Sequence, residues 1–165
     1  GSMPWSQCAL FQVDERIAPT GSPERNLTHL VLSLPLACQA AIRPMPVGAR
    51  DLENAASTYE YSLPEQFDLV HLGLGPDGHT ASLVPGDPVL EVTDRSIAVT
   101  GTEYQGTHRM TMTYPIFEKA RKILFLVTGA EKREALVRLL AGDGTIPAGR
   151  VETANATLIT DIAPD

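Results

Sequence analysis

Apolar residues occur along the chain in two patterns, short continuous runs and stripes with helical spacing. The short runs predict buried strands because a segment of four to eight apolar residues suits the interior of a sheet. Five such strands are predicted, at residues 8–13, 67–70, 96–100, 122–127 and 156–160. Residues 109–113 alternate between polar and apolar side chains and predict a sixth strand.

Stripes with helical spacing fall between these strands. Asn26 is placed to cap a helix whose stripe begins at Leu27 and ends at Cys38, with a kink at Pro35. Further helices are predicted at residues 52–61, 114–121 and 131–140, and Gly142 is a suitable stop for the last one.

Alternation of strands and helices predicts an α/β fold with a mainly parallel sheet flanked by helices. We expect one domain over residues 1–165, because no linker or repeat divides the chain. Gly1 and Ser2 precede Met3 in the manner of a cloning scar.

Composition and charge exclude some classes of partner and indicate where the protein is located. The chain is 43% hydrophobic and 20% charged, as globular proteins are. A net charge of −7 argues against a nucleic-acid partner or a membrane surface, and no apolar run is long enough to cross a bilayer. Two cysteines, Cys8 and Cys38, form no disulfide framework, so we expect reduced thiols and a cytoplasmic location.

A glycine-rich segment follows the second predicted strand. Gly73, Gly75 and Gly78 surround Asp77 and His79 in a turn. Glycine permits backbone shapes and close approaches that a Cβ atom forbids. A strand that enters such a loop is typical of an active-site edge in an α/β protein.

The histidine in this loop is the best candidate for acid–base chemistry. An imidazole accepts a proton near neutral pH, and a carboxylate from Asp77 or Asp14 would orient it. The alternative is that His79 only caps the next turn. A dinucleotide site is disfavoured because Pro85 and Pro88 interrupt the helix it needs. A metal site is disfavoured because no third ligand has suitable spacing.

Cationic residues elsewhere predict an anion site. Lys132 lies in the first turn of a predicted helix, where a cation is unfavourable unless an anion binds there. Arg109, at the start of a predicted strand, would add a bidentate contact. The alternatives are a solvated lysine beside Glu131 and an arginine paired with a surface carboxylate. Residues 14–16 are expected at the carboxyl edge of a parallel sheet, or in a solvated turn.

In combination these segments resemble the 6-phosphogluconolactonase family, which shares its Rossmann-like fold with the glucosamine-6-phosphate isomerases. The central motif is long and specific, and the others support it by their order and spacing. The matching segments are FQVDER and ERN at 11–26, FDLVHLGLGPDGHTASLVPG at 67–86, RMTMT at 109–113, LVTGAEK at 126–132, PAGRV at 147–151 and ATLITD at 156–161.

The resemblance implies an enzyme that hydrolyses 6-phospho-D-glucono-1,5-lactone to 6-phosphogluconate in the oxidative pentose phosphate pathway, without a metal or organic cofactor. It implies that His79 is the general base and that Asp14 and Arg16 line the pocket. Arg109 and Lys132 are implied phosphate ligands.

We expect residues of the glycine-rich loop to take part in catalysis and in substrate binding as well. Asp77 belongs to the catalytic set, and we expect Gly75 and Gly78 to bind substrate, with loop N–H groups stabilising an oxyanion.

Two departures from the family pattern bear on function. The isomerases carry a glutamate five residues after the histidine, where this chain has Val84, so an amino-sugar-phosphate isomerase is the weaker alternative. Members of the family usually begin with a further βαβ region and phosphate loop, which we expect to be missing from residues 1–165. The other alternative is therefore a shortened homologue with little activity that binds sugar phosphates or other proteins. An exposed sheet region predicts a homo-oligomer.

Overall fold

A computed structural model describes residues 4–35 and 41–163 of the chain. Its eight strands form three small sheets, and the α/β class is confirmed. The strands are β1 (Leu10–Phe11), β2 (Asp14–Arg16), β3 (Ile42–Arg43), β4 (Val70–Leu72), β5 (Ile97–Val99), β6 (Arg109–Met112), β7 (Ile123–Val127) and β8 (Ala156–Thr160).

The longest sheet is parallel, with the order β4-β7-β8. Its central strand β7 comes from the apolar run predicted at residues 122–127. Alternate side chains of β7 are buried, namely Ile123, Phe125 and Val127, whereas Leu126 between them is exposed. One face of this sheet is therefore packed against the core and the other is open among the described residues.

The N-terminal apolar run divides into two strands instead of one. β1 pairs in parallel with β3, and β2 pairs antiparallel with β6, which also pairs antiparallel with β5. The expectation that residues 14–16 lie beyond a strand at the edge of a parallel sheet is wrong. They form a strand themselves, because the alternating residues of β6 supply a partner.

In the described residues four helices pack around these sheets, as the hydrophobic stripes predicted, although three are shorter than predicted. They are α1 (Asn26–Ser33), α2 (Leu52–Tyr61), α3 (Tyr114–Lys119) and α4 (Arg133–Leu140). A 3₁₀ turn at Ala130–Lys132 precedes α4, and Gly142 follows it with a φ of +63°. Cys38 and the segment after Pro35 lie outside the described residues.

The prediction that Asn26 caps α1 is wrong. Its side chain donates to the main-chain and side-chain oxygens of Asp14, both at 3.2 Å. The free N–H groups of Asn26 and Leu27 donate instead to the carboxylate of Glu15, at 2.7 and 2.9 Å. A carboxylate from a neighbouring strand thus takes the place of a local cap.

A single hydrophobic core joins the three sheets to α2, α3 and α4. Among its fully buried side chains are Leu72, Leu83, Met110, Phe125 and Leu136. Because β4 and β6 both contribute to this core, the loop after β4 and the start of β6 are held at fixed positions. No helix in the described residues is long and apolar enough to cross a membrane.

Candidate active site

Five of the predicted site residues line one cavity of about 290 Å³. Asp14 and Arg16 reach it from β2, His79 from the loop after β4, Arg109 from β6 and Lys132 from the turn before α4. Residues far apart in the sequence therefore share one cavity. Its other lining residues are Val13, Asn26, Gly73, Leu74, Thr80 and Ala81.

The imidazole of His79 is held by two side chains. Its Nδ1 lies 2.6 Å from Oδ1 of Asp77, and the hydroxyl of Tyr104 donates to Oδ2 of the same carboxylate at 3.0 Å. An ionised carboxylate only accepts hydrogen bonds, so this contact assigns the proton to Nδ1. In the neutral imidazole, Nε2 is then left with its lone pair, as a general base requires.

The carboxyl group of Asp77 is held in its charged form. Burial opposes that form, but the hydrogen bonds from the His79 side chain and main chain and from Tyr104 outweigh it and lower the pKa of Asp77. Of the two carboxylates predicted to orient the imidazole, Asp77 makes the contact. A charged Asp77 is suited to stabilise the imidazolium that forms when Nε2 accepts a proton.

The glycines of the loop make this pairing possible by leaving space. An ideal Cβ on Gly75 would lie 2.0 Å from Nδ1 of His79, and one on Gly78 would lie 2.6 Å from Cβ of Ile146. Gly78 also has a φ of +84°. Both positions therefore require glycine for close approach or backbone shape.

The structure argues against the predicted ligand role of these two glycines. Neither lines the cavity, and their N–H groups already have acceptors within the loop. Gly75 donates to the carbonyl of His79 at 2.9 Å, and Gly78 donates to the carbonyl of Gly75 at 3.0 Å. These N–H groups shape the loop and are not free to bind an oxyanion.

Asp14 forms the acidic wall of the cavity and does not contact His79 by a hydrogen bond in the described residues. Its Oδ2 accepts from the hydroxyl of Ser82 at 2.7 Å. Burial raises the pKa of Asp14, although the Ser82 hydrogen bond and the charge of Arg109 partly offset the effect.

The cationic wall is formed by two arginines on neighbouring strands. Arg16 on β2 is the register partner of Arg109 on β6. Burial lowers the pKa of the Arg109 guanidinium, and the charge of Arg16 lowers it further, while Asp14 and Tyr104 act in the opposite direction. The Nε atoms of both arginines are buried without a hydrogen-bond partner in the described residues. Two adjacent guanidinium groups attract an anion.

Lys132 lies at the same cavity, on the 3₁₀ turn that leads into α4. Gly129 begins this turn with a φ of +101°, and its N–H donates to Oδ1 of Asp161 at the end of β8. No hydrogen bond or ion pair to the Lys132 ammonium is found in residues 4–35 and 41–163. The ammonium is thus available to a ligand in the cavity.

Sequence reasoning missed two residues that organise this site. Tyr104 lies in an irregular segment with no strand or helix pattern, and nothing in its neighbourhood predicts a contact with Asp77. Glu15 was seen only as one charge in a cluster, yet it is fully buried. No group of three His, Cys, Asp or Glu side chains suited to a metal occurs in the described part of the chain.

The α/β domain thus places an imidazole–carboxylate pair at a cavity that is also lined by three cationic side chains. The family model described as glucosamine-6-phosphate isomerases/6-phosphogluconolactonase matches residues 1–160. The chain belongs to this family, so the resemblance predicted from its motifs is confirmed.

Known members of the family are similar over most of the chain. A 6-phosphogluconolactonase of Synechocystis is 39% identical over 156 residues, which cover 85% of this chain and 63% of that protein. A 6-phosphogluconolactonase of Streptomyces coelicolor is 37% identical and is matched over 62% of its length, against 87% of this chain. The chain thus spans less than two thirds of these relatives.

A solved structure supports the fold directly. The crystal structure of 6-phosphogluconolactonase from Thermotoga maritima superposes with a TM-score of 0.83 at 28% identity. The match covers 97% of this chain and 75% of that protein.

Proposed function

We propose that the protein hydrolyses 6-phospho-D-glucono-1,5-lactone to 6-phosphogluconate. The observation that carries the proposal is that Nε2 of His79 is left as an acceptor beside a cavity whose other walls hold Arg16, Arg109 and Lys132. Relatives named 6-phosphogluconolactonase, with 39% and 37% identity, add support.

The phosphate group of the substrate would bind at the cationic wall. A phosphate monoester carries about −1.5 to −2 charges at neutral pH and three acceptor oxygens. Arg16 and Arg109 match it in charge and geometry, and Lys132 adds a further donor. This binding energy, remote from the reacting carbon, would hold the lactone carbonyl near His79.

Hydrolysis then proceeds by attack of water on the lactone carbonyl carbon. The water oxygen forms a bond to that carbon while Nε2 of His79 takes the water proton. The tetrahedral intermediate collapses with cleavage of the bond between the carbonyl carbon and the ring oxygen. That oxygen regains the proton from the imidazolium, which gives the open-chain acid.

Asp77 serves this cycle by holding Nδ1 and by stabilising the positive charge on the ring during the intermediate. Asp14 would orient a substrate hydroxyl, since it lines the cavity on the same strand as Arg16. We assign no step to a metal or organic cofactor.

The decisive experiment measures lactone opening by coupling 6-phosphogluconate formation to its oxidation by NADP. The wild-type protein should accelerate opening above the spontaneous rate, and His79→Gln should reduce kcat by about 10²- to 10⁴-fold. His71→Gln is the matched control, because His71 lies on β4 with an exposed side chain. Equal rates for His79→Gln and wild type, or no rate above spontaneous opening, would overturn the proposal.

We also propose that the protein self-associates through the open face of its parallel sheet, and that it is active in the cytoplasm. The sheet face bears on the first proposal. Leu126 and Ile159 are register partners on the open face of the parallel sheet and are 42% and 53% exposed. Such neighbouring apolar side chains favour a protein contact. Light scattering on wild type and on Leu126→Lys tests this proposal, and a wild-type monomer at high concentration would contradict it. The free thiol of Cys8 is consistent with a reducing compartment.

A further inference from the structure

Tyr104 contacts both halves of the candidate active site, although it does not line the cavity. Its hydroxyl donates to Oδ2 of Asp77 at 3.0 Å and lies 3.3 Å from Nδ1 of His79. Its ring packs edge-on against the imidazole, with 5.2 Å between ring centroids. One side chain thus touches both members of the acid–base pair.

The same residue contacts the cationic wall. The guanidinium carbon of Arg109 lies 5.0 Å from the centroid of the Tyr104 ring, within the range of a cation–π interaction. A terminal nitrogen of Arg109 donates to the main-chain carbonyl of Tyr104 at 3.1 Å. Tyr104 therefore joins the base to the group that would hold the substrate anion.

The backbone around Tyr104 is built for this position. Tyr104 and Thr107 form an isolated antiparallel β-bridge that closes a two-residue turn. The two turn residues, Gln105 and Gly106, have φ values of +55° and +81°. The side-chain oxygen of Gln105 accepts from Arg109 at 3.4 Å. A tight turn with a non-glycine residue in the left-handed region is held by its surroundings, and here Arg109 provides two of the contacts.

We propose that Tyr104 is a positioning residue: it fixes Asp77 so that His79 keeps its proton on Nδ1 and its lone pair on Nε2, and it ties this pair to Arg109. The inference rests on the proposed lactonase function for its kinetic consequence. Its other consequence, that the neutral imidazole of His79 carries its proton on Nδ1, does not depend on which reaction the protein catalyses.

The hydrogen bonds around Asp77 explain why the Tyr104 hydroxyl is needed to keep the proton of His79 on Nδ1. Without it, Oδ2 of Asp77 loses its side-chain donor, and the carboxylate is held only at Oδ1, by Nδ1 and the main-chain N–H of His79 among the described residues, which leaves it more freedom about its terminal torsion. The hydrogen bond from Nδ1 then loses its fixed geometry, and the imidazole populates the tautomer protonated on Nε2. That tautomer cannot accept a proton from water at the cavity.

The test compares Tyr104→Phe with wild type. Phenylalanine keeps the ring that contacts His79 and Arg109 and removes only the hydroxyl. We expect kcat to fall by about tenfold, with KM for the lactone within about twofold. Tyr61→Phe is the matched control because Tyr61 is 92% exposed and lies at the end of α2, outside the residues that line the cavity.

A second measurement does not depend on turnover. Nitrogen-15 NMR of the imidazole side chains reports which ring nitrogen carries the proton, and the signal lost in His79→Gln identifies this histidine among four. At about pH 8 we expect Nδ1–H in wild type and a mixture of tautomers in Tyr104→Phe.

The two measurements separate the inference from the proposed function. A wild-type protein without lactonase activity would remove the function, while a tautomer change in Tyr104→Phe would still support the positioning role. The same tautomer in both proteins would overturn the inference, whatever the activity. A rate and tautomer in Tyr104→Phe equal to those of Tyr61→Phe would also overturn it.

Discussion

Arg16 and Arg109 lie directly opposite each other on the antiparallel strands β2 and β6. Like charges at such cross-strand positions destabilise a sheet, since their Cβ atoms are only about 4.5–5.5 Å apart. Neither Nε atom has a hydrogen-bond partner in the described residues. We interpret this pair as an unfavourable arrangement in the free protein that a bound anion relieves.

This relationship predicts that inorganic phosphate stabilises the protein. An anion at one hundred times its Kd adds about 2.7 kcal/mol to the free energy of unfolding, which is a rise of about 5–10 °C in melting temperature at this size. Arg16→Gln and Arg109→Gln should each abolish most of the rise in a thermal unfolding titration. Arg121→Gln, a control at an exposed arginine paired with Asp68, should respond like wild type. A phosphate response that survives both cavity variants would contradict the anion site.

Gly75→Ala is predicted to abolish activity without unfolding the protein. The new Cβ would meet the imidazole of His79 at 2.0 Å and Oδ1 of Asp77 at 2.7 Å, so the ring must turn away from its carboxylate. We expect a loss of kcat comparable with His79→Gln and a melting temperature within a few degrees of wild type. Gly48→Ala is the control, because a Cβ there meets nothing within 4 Å. Retained activity in Gly75→Ala would show that the Asp77–His79 contact is not required.

The sequence predicted the α/β class, the α2 helix and five of the residues that line the cavity, because these depend on apolar spacing and on specific motifs. The predictions from sequence were wrong or missing where the local structure depends on contacts between segments that are distant in the chain. Residues 14–16 carry three charges and no strand pattern, yet they pair with β6 because that strand is adjacent in the fold. Tyr104 approaches Asp77 across 27 positions of sequence, a contact that no local pattern encodes. The cap of α1 was misassigned for the same reason.

Glu15→Gln is predicted to destabilise the fold by about 3 kcal/mol, as loss of a buried charge partner does. The fully buried carboxylate accepts from Gln12, from the N–H groups of Arg16, Asn26 and Leu27, and pairs with Arg25 at 3.2 Å. An amide offers one acceptor oxygen and cannot satisfy these donors. Chemical denaturation measures the change, with Glu24→Gln at an exposed position as the control.

The same carboxylate gives a pH dependence with a definite sign. Burial raises the pKa of Glu15, but the hydrogen bonds from Gln12, Leu27, Arg16 and Asn26 outweigh it and lower the pKa below its ordinary value of 4.5. Its stabilisation is therefore complete above that value and is lost as the pH falls through the lower folded pKa. The stability difference between wild type and Glu15→Gln should shrink in acid. A difference that stays constant down to the lowest pH would contradict this account.

Asp14→Asn is predicted to stabilise the protein while impairing catalysis. Burial raises the pKa of Asp14 above its ordinary value of 3.8. A raised folded pKa favours the protonated form, so the ionised carboxyl group increasingly destabilises the fold as the pH rises through that folded pKa. Asparagine is neutral at every pH and can still hydrogen-bond Ser82 and Asn26. The melting temperature of Asp14→Asn should therefore exceed that of wild type at about pH 8, and the excess should vanish near pH 3.8.

Asp68→Asn, at a side chain 91% exposed, should show no such pH-dependent gain. A gain in stability accompanied by a loss of lactone hydrolysis would mark Asp14 as a group retained for function at a cost to the fold. A variant less stable than wild type at pH 8 would instead show that the charged carboxylate holds the wall of the cavity together.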